Sequence, residues 1–153
     1  KPEALVPRRR RHEVDERLIY DGTVKKAFSE VSAANAAAAL ATAKVDAVAV
    51  CFLHSYSKPG HERRMRAILE TVLPDVYISL SSDVLPEFRE YERMSTTVLN
   101  AYLGPAMADY LEAFLERTHL PRPRLSLPPM HPILGSRQKR LASHRQTEVQ
   151  HTL

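Results

Sequence analysis

The chain contains 153 residues, of which 44% are hydrophobic and 26% are charged, a composition typical of a globular protein with a sizeable core. No segment approaches the roughly 20 consecutive apolar residues of a membrane-spanning helix, so a membrane partner is not expected. The single cysteine, Cys51, excludes an intrachain disulfide. Because it lies in the apolar run AVAVCFL, we expect a buried, unreactive thiol and favour a cytoplasmic location.

The net charge of +4 comes from the C-terminal part of the chain. Residues 1–117 carry 16 Lys and Arg against 17 Asp and Glu, whereas residues 118–153 carry 6 against 1. Within the first segment the basic run is Arg8–Arg11, and acidic residues follow it directly. Because neither basic segment is interleaved with aromatic residues that stack on bases, nucleic acid is not an expected partner.

The first predicted elements are a hairpin and a helix. Residues 12–28 contain two strand-like segments, HEVDERLIY and TVKKAF, on either side of Asp21-Gly22. That dipeptide suits the positive φ angles of a tight turn. Ser29 is a suitable N-cap for an alanine-rich helix over residues 30–43.

Strands and helices then alternate, which predicts an α/β fold. Residues 45–53 (VDAVAVCFL) form a continuous apolar run, as expected for a strand buried on both faces. Pro59 marks the start of a second helix that ends before Pro74, and residues 76–81 (VYISLS) form the next strand. A helix between two such strands predicts a right-handed crossover and a mixed, partly parallel sheet.

Two further helices are predicted at the end of this region. Pro86 suits a first helical turn, with EFREYERM after it, and Ser95 suits the N-cap of a longer helix that ends near Arg117. Pro105 lies inside this helix and should kink it or split it in two. Apolar residues recur at three- and four-residue spacings and predict one buried face, formed by Val98, Leu99, Tyr102, Leu103, Met107, Tyr110, Leu111, Phe114 and Leu115.

The character of the chain changes at residue 118. Five of the 11 prolines fall between residues 121 and 132, four of the 7 histidines lie at position 119 or later, and no periodicity persists. A segment of this kind buries too little apolar surface to order itself. We therefore predict one domain over residues 1–117 and a Pro-rich basic tail over residues 118–153 that is disordered or foreign to the fold.

Three blocks resemble the N-terminal region of the ATP-dependent hydantoinase/5-oxoprolinase family. They are KPEALVPRRRRHEV (residues 1–14), VDAVAVCFLHSYSKPGHERR (residues 45–64) and DVYISLSSDVLPEFREYERMSTTVLNAYLGP (residues 75–105). The third block is the most specific, because its order of hydroxyl and charged residues is hard to obtain by chance. Together with the intervening segments, the resemblance covers residues 1–117.

The resemblance implies part of an actin-like ATPase lobe of the ribonuclease H-like type. Members of the family use ATP, with Mg²⁺, to open a hydantoin or 5-oxoproline ring, and related proteins are subunits of ATP-dependent ketone carboxylases. An amide carbonyl is a poor electrophile, so phosphorylation of its oxygen would activate it, which leaves positioning and charge stabilisation to the protein. The implied partners are a small cyclic amide and either the remainder of the ATPase domain or a partner hydantoinase subunit.

The sequence departs from the family pattern at the expected ATP site. A member would have a Gly-Gly-Thr phosphate-binding turn upstream of Lys1 and a Gly-rich ATPase domain after residue 117. The four glycines, at positions 22, 60, 104 and 135, form no phosphate loop. We therefore expect a fragment that lacks the ATP-binding segments and is inactive alone. The alternatives are a non-catalytic binding or assembly module and a subunit fragment of a ketone carboxylase.

Polar residues in the third block are candidates for substrate binding. Ser95, Thr96 and Asn100 lie near the predicted start of the last helix, where free backbone N–H groups suit an anion or a polar ligand. The alternative is a Ser95 cap with surface hydroxyls behind it. Glu90, Glu92 and Arg93 either orient a substrate or line a domain cleft, or they form a solvated helix turn with a weak ion pair.

His54 is the other substrate-binding candidate, because it follows the first apolar strand. Ligands of open α/β sheets collect at the carboxyl ends of strands, although a histidine there also commonly bonds to a neighbouring carbonyl. His61 and Glu62 are interpreted as structural or exposed residues. Two histidines without a third ligand pattern do not predict a metal site, and no motif of a catalytic nucleophile is present.

Overall fold

The computed structural model describes residues 5–118. The chain divides into two compact units, Lys1–Pro105 and Ala106–Leu153. The predicted tail lies outside the described residues except for Thr118, which ends a helix. The domain boundary at residue 117 and the disorder of the tail therefore stay predictions.

The described residues form a mixed α/β structure with four strands. A 3₁₀ helix at Arg8–Arg10 precedes the first strand. The elements that follow are β1 (Arg17–Leu18), β2 (Val24–Lys26), α1 (Glu30–Thr42), β3 (Ala47–Val50), α2 (Gly60–Val72), β4 (Tyr77–Leu80), α3 (Ser81–Val84) and α4 (Glu90–Thr118).

The hairpin and the start of α1 confirm the predictions. Strands β1 and β2 pair antiparallel, and Gly22 adopts a φ of 81° in the turn between them. The Ser29 hydroxyl accepts a hydrogen bond from the backbone N–H of Ser32, which satisfies one of the free donors at the helix start. The turn chemistry and the cap were therefore sufficient to locate both elements.

Strands β3 and β4 form the predicted parallel pair, with α2 as the connection between them. One face of this pair carries Val48, Val50 and Leu80, which are buried in the main apolar core. Its helical partners in that core are Ala33, Ala36, Ala37 and Leu40 of α1 and Met65 and Leu69 of α2. Alanines let α1 lie close to its neighbours, because their side chains are small.

The expectation of a β3 strand buried on both faces was wrong. Burial alternates along β3, so that Val48 and Val50 are buried while Ala47 and Ala49 are only half-buried. The physical reason is that the second face of the sheet is polar. On this face Ala47 pairs with Tyr77 of β4, and Ala49 pairs with Ser79. The hydroxyls of Tyr77 and Ser79 are hydrogen-bonded to a side chain of α4, which packs on the same face.

The start of α4 differs from the prediction. Pro86 lies in the loop after α3, and Leu85 before it is not helical, with φ −149° and ψ 85°, because a following proline disfavours helical backbone. The helix begins at Glu90, so Ser95 lies inside it and is not its N-cap. The helix also continues through Pro105, so of the two expected outcomes, a kink or a split, the split does not occur.

The predicted buried face of α4 was also wrong. In the first unit, Leu99, Tyr102 and Leu103 are 50%, 66% and 52% exposed. The residues that α4 buries there are Arg93, Thr97 and Ala101, which recur every four positions. In the second unit the exposed members of the predicted face are Met107, Tyr110, Leu111 and Phe114. The two remaining members, Val98 in the first unit and Leu115 in the second, are half-buried. The apolar spacing located the helix but did not identify the side that packs on the sheet.

Candidate functional site

The candidate site lies at the carboxyl ends of β3 and β4, within the first compact unit. Four polar side chains meet there with no exposed surface, Ser55, Glu62, Ser81 and Arg93. We call them the buried polar cluster. Because charged groups lose solvation when buried, each needs hydrogen-bond partners from the protein.

Glu62 of α2 is the acceptor of the buried polar cluster. Its Oε1 accepts hydrogen bonds from the Phe52 backbone N–H at 2.9 Å and from the Ser81 hydroxyl at 2.6 Å. Its Oε2 accepts from the Ser82 backbone N–H at 2.9 Å. One carboxylate therefore ties the end of β3 to the start of α3.

Arg93 of α4 is the donor of the same cluster. Its Nη2 donates to the Phe52 carbonyl at 2.9 Å, and its Nη1 donates to the hydroxyls of Ser81, at 2.6 Å, and of Ser55. Nη1 also lies 3.9 Å from Oε1 of Glu62. The Phe52 residue is therefore held on its N–H side by a carboxylate and on its C=O side by a guanidinium, which fixes the chain just before His54.

A second, partly exposed group of side chains lies next to the buried polar cluster. Nδ1 of His54 is 3.4 Å from the Tyr56 hydroxyl and 3.8 Å from Oε1 of Glu90, and the two rings meet edge to face. The side chains of His54 and Glu90 are 22% and 42% exposed. We call His54, Tyr56 and Glu90 the His54 cluster. The Arg93 guanidinium lies 5.9 Å from the centre of the Tyr56 ring and so connects the two clusters.

His54 has an unusual backbone conformation. Its φ is 56°, in the left-handed region that side-chain-bearing residues seldom occupy. Such a conformation persists only where the surroundings hold it, and it concentrates at functional sites. The hydrogen bonds of Glu62 and Arg93 to the backbone of Phe52, two residues earlier, provide that support.

The Cys51 thiol lies close to both clusters. Burial raises the pKa of this thiol, whereas a hydrogen bond with Ser81 and the charge of Arg93 lower it. The carboxylates of Glu62 and Glu90 add to the increase. The side chain is half-buried rather than fully buried as expected, but its raised pKa agrees with the predicted low reactivity, because the thiolate is the nucleophile.

Asn100 contacts the polar face of the sheet. Its Nδ2 donates to the Ser79 hydroxyl at 2.9 Å and to the Tyr77 hydroxyl at 3.2 Å. Gly104, one turn later, leaves room for the Tyr77 ring, since a Cβ there would lie 2.5 Å from two ring atoms. These contacts fix α4 against β4.

The remaining residues predicted on α4 are not brought together into one site. Ser95 is half-buried within the helix, Thr96 is exposed, and the buried Thr97 donates its hydroxyl proton to the Arg93 carbonyl at 2.7 Å. Because α4 begins five residues before Ser95, the free backbone N–H groups that would suit an anion do not lie at Ser95. Glu92 is 54% exposed and lies 3.9 Å from Arg89.

The interpretation of His61 as structural agrees with its surroundings. Its Nδ1 lies 2.7 Å from Oε2 of Glu16, and the two side chains are 12% and 5% exposed. Among residues 5–118, no three His, Cys, Asp or Glu side chains are grouped so that they could hold a metal ion. The helices in that range include none with the length and hydrophobicity required to cross a membrane.

Sequence reasoning missed three members of the buried polar cluster, Ser55, Glu62 and Ser81. A signal for Glu62 was present, because it shares a helical face with the core residues Met65 and Leu69, three and seven positions later. A carboxylate in an apolar stripe requires a buried partner. Ser55 and Ser81 carry no comparable signal, since serines are common at strand ends and turns.

The chain is similar to known proteins over much of its length. Residues 2–73 match the hydantoinase/oxoprolinase N-terminal region. This segment belongs to that family. The family resemblance inferred from the sequence is therefore confirmed, and its relatives include caprolactamase, 5-oxoprolinase and acetone carboxylase subunits.

Three relatives illustrate the similarity. An uncharacterised protein of Methanocaldococcus jannaschii is 38% identical over 116 residues, which are 76% of this chain and 17% of that protein. Caprolactamase subunit alpha of Pseudomonas jessenii is 41% identical over 108 residues, or 71% of this chain and 16% of the subunit. The acetone carboxylase beta subunit of Xanthobacter autotrophicus is 36% identical over 121 residues, which cover 74% and 17% of the two chains.

Solved structures show the same relationship. The crystal structure of the ATP-dependent caprolactamase from Pseudomonas jessenii superposes with a TM-score of 0.71 at 39% identity, over 74% of this chain and 16% of that one. A nucleotide-free acetone carboxylase superposes with a TM-score of 0.68 at 31% identity, over 76% and 18%. This chain thus spans about a sixth of the length of the curated relatives it matches.

Proposed function

We propose that this chain is part of an enzyme that uses ATP, with Mg²⁺, to open the ring of a cyclic amide. The observation that carries the proposal is the similarity to caprolactamase, 41% identity to its alpha subunit and a TM-score of 0.71 to the ATP-dependent enzyme. The mixed α/β unit with a parallel β3–β4 pair suits part of an actin-like ATPase lobe, and we assign the protein to the cytoplasm.

The chemistry explains why ATP is needed. An amide resists attack because its carbonyl is a weak electrophile and its nitrogen a poor leaving group. Transfer of the γ-phosphoryl group to the carbonyl oxygen activates the carbonyl carbon, and the protein contributes positioning and electrostatic stabilisation. In this proposal residues 5–118 supply substrate contacts at the ends of β3 and β4, while ATP binds to other parts of the enzyme or to a partner subunit. The chain alone then does not hydrolyse ATP.

An ATP-dependent ketone carboxylase is the second candidate function. It is favoured by the similarity to acetone carboxylase, with a TM-score of 0.68. Both reactions act on a carbonyl group at the expense of ATP, so the fold does not distinguish them. The higher identity to caprolactamase, 41% against 36% for the acetone carboxylase subunit, places the cyclic amide first.

The test is a chimera of caprolactamase subunit alpha whose matching segment is replaced by residues 2–117 of this chain. The chimera is assembled with the other subunits of that enzyme, its assembly is checked by gel filtration, and ATP hydrolysis is measured with caprolactam, with acetone and without substrate. We expect hydrolysis that depends on caprolactam. An assembled chimera stimulated only by acetone would move the function to the carboxylase class.

The isolated chain provides a separate check. Purified residues 1–153 are incubated with Mg²⁺ and ATP beside a heat-treated sample, and phosphate release is measured. We expect no difference between the two samples. Turnover by the native chain above the heat-treated control would show that it binds ATP by itself, contrary to the division of roles proposed above.

A further inference from the structure

The geometry points to a ligand for the His54 cluster. We propose that His54, Tyr56 and Glu90 bind the edge of a cyclic amide on which the N–H and the C=O lie side by side. The Glu90 carboxylate accepts the ring N–H, and the Tyr56 hydroxyl or the His54 imidazole donates to the carbonyl oxygen. This inference takes its substrate class from the proposed function and assigns the contacts that recognise it.

The shape of a cyclic amide is what makes such recognition selective. Ordinary peptide bonds are trans and place the N–H and the C=O on opposite sides. A small ring forces the amide into the cis form, so one edge presents a donor beside an acceptor. A site with an acceptor next to a donor therefore binds lactams, hydantoins and 5-oxoproline and discriminates against the peptide bonds that surround it in the cell.

The distances in the His54 cluster suit this edge. Standard bond lengths put the nitrogen and oxygen of an amide about 2.2 Å apart. Nδ1 of His54 and Oε1 of Glu90 are 3.8 Å apart, and the Tyr56 hydroxyl lies 3.4 Å from the same nitrogen. Two hydrogen bonds that diverge slightly can therefore join the closely spaced nitrogen and oxygen of the ligand to the more widely spaced atoms of Glu90 and His54. The separation of 3.8 Å is also too long for a direct hydrogen bond between the imidazole and the carboxylate.

The buried polar cluster keeps this arrangement rigid. Glu62 and Arg93 hold the N–H and C=O of Phe52 at 2.9 Å each, two residues before His54. Arg93 also donates to Ser55, which lies between His54 and Tyr56 in sequence. A site held in its binding geometry loses less freedom when a ligand binds. Glu62 and Arg93 are therefore positioning residues, whereas the His54 cluster touches the ligand.

The structure also offers a simpler interpretation, that His54 and Glu90 form only a surface ion pair. The two interpretations differ in a measurable way. An ion pair does not distinguish a lactam from its N-methyl derivative, whereas a cis-amide site needs the N–H. An experiment with these two compounds therefore separates them.

The experiment uses the full chain, residues 1–153, labelled with ¹⁵N. Caprolactam is titrated while amide chemical shifts are followed, with N-methylcaprolactam as the matched ligand control. We expect caprolactam to shift the signals of residues 54, 56 and 90, and N-methylcaprolactam to bind about tenfold more weakly, as expected for one lost hydrogen bond to a charged group. Equal binding of both compounds, or no shift at these residues, would overturn the proposal.

Matched variants locate the contact on the protein. Glu90→Met keeps the length of the side chain but removes the acceptor, and should weaken caprolactam binding about tenfold. Glu70→Met removes the same charge from α2 near its C-terminal end, at the opposite end of the sheet, and should leave the affinity unchanged. Dispersed spectra of both variants confirm that they fold. Equal losses in both variants would show an effect of net charge and would contradict a contact at Glu90.

The outcome is independent of the test of the proposed function. If the chimera hydrolyses ATP in response to caprolactam but the chain binds no lactam at the His54 cluster, the inference fails and the proposed function stands. If the chain binds caprolactam with the expected selectivity and the assembled chimera is inactive with every substrate, the inference stands and the proposed function fails.

Discussion

The buried polar cluster and the His54 cluster alternate along one short segment yet differ in almost every physical respect. Ser55 has no exposed surface, whereas His54, next to it, keeps 22% of its side chain exposed. In the buried polar cluster the hydrogen bonds are short, with two carboxylate contacts at 2.6 and 2.9 Å. In the His54 cluster the nearest polar contacts are 3.4 and 3.8 Å.

The difference shows how a single strand end provides both stability and a ligand site. Groups that bond to one another in the interior lock the chain and keep little capacity for a ligand, although Nε of Arg93 has no hydrogen-bond partner among the described residues. Groups that lie near one another without bonding closely keep their donors and acceptors for an incoming molecule. The first set makes the second set possible, because loop residues bind selectively only when a rigid base positions them.

The largest expected effect is on stability, from Arg93→Met. The change leaves the Glu62 carboxylate buried without its cation and removes the donor to the Phe52 carbonyl. Breaking a buried pair on one side costs about 3–5 kcal/mol of unfolding free energy. Urea denaturation followed by circular dichroism measures this loss.

Two further variants test whether that loss of stability comes from the buried charge pair. Arg89→Met removes a neighbouring arginine whose side chain is 62% exposed, and should change the unfolding free energy by less than about 0.5 kcal/mol. The double variant Glu62→Gln with Arg93→Met removes both charges but keeps a side-chain oxygen that accepts from the Phe52 N–H and the Ser81 hydroxyl, and should be more stable than Arg93→Met alone. If Arg93→Met lost no more than Arg89→Met, the buried polar cluster would not be the stabilising region of the comparison.

A smaller loss of stability is expected from Gly104→Ala, which tests the contact between α4 and β4. The added Cβ would lie 2.5 Å from Cε1 and Cζ of Tyr77, so the helix or the ring must move. Overpacking of this kind costs about 1–3 kcal/mol, and it outweighs the gain of about 1 kcal/mol from alanine in a helix. Thermal or urea unfolding measures the net change.

Gly60→Ala is the matched control for that prediction. A Cβ at Gly60 meets no atom within 4 Å, so alanine there should be neutral or slightly stabilising. If Gly104→Ala were as stable as Gly60→Ala, α4 would be free to shift, and Arg93 rather than helix packing would fix its position.

Much of the fold could be predicted because its signals are local. Asp21-Gly22 defined the hairpin turn, Ser29 capped α1, and the apolar strands around α2 gave the parallel β3–β4 pair. These features depend on neighbouring residues in the sequence. The start of α4 was misplaced because Ser95 has the chemistry of a cap, whereas Glu90 and Glu92 in the first turn favour the true start through the helix dipole.

The candidate site was only partly predictable, because its contacts join distant parts of the chain. His54 was identified from its place after a strand, and Arg93 from the specific third block. Their partners could not be assigned, since Arg93 and Phe52 are 41 residues apart in sequence. The role of Arg93 also differs from the expectation, because it binds protein groups in the interior and positions the residues that we propose to contact substrate.

Of the three test variants Arg93→Met, Gly104→Ala and His54→Gly, the last has the smallest expected effect on stability, and it separates the two clusters most sharply. Glycine adopts a φ of 56° without the cost of about 1–2 kcal/mol that a side chain incurs there, but it loses more entropy on folding. These contributions nearly cancel, so the unfolding free energy should change by less than about 1 kcal/mol. Lactam binding should nevertheless weaken, because one ligand contact is gone.

Lys44→Gly is the control that makes this result interpretable. Lys44 has a φ of 50° at the end of α1 and an exposed side chain, so glycine relieves the same kind of strain outside the site. We expect both variants to have similar unfolding free energies and only His54→Gly to lose affinity for caprolactam. If His54→Gly instead unfolded as readily as Arg93→Met, the imidazole would belong to the stabilising base. The distinction between a buried cluster that stabilises and a partly exposed cluster that binds would then be wrong.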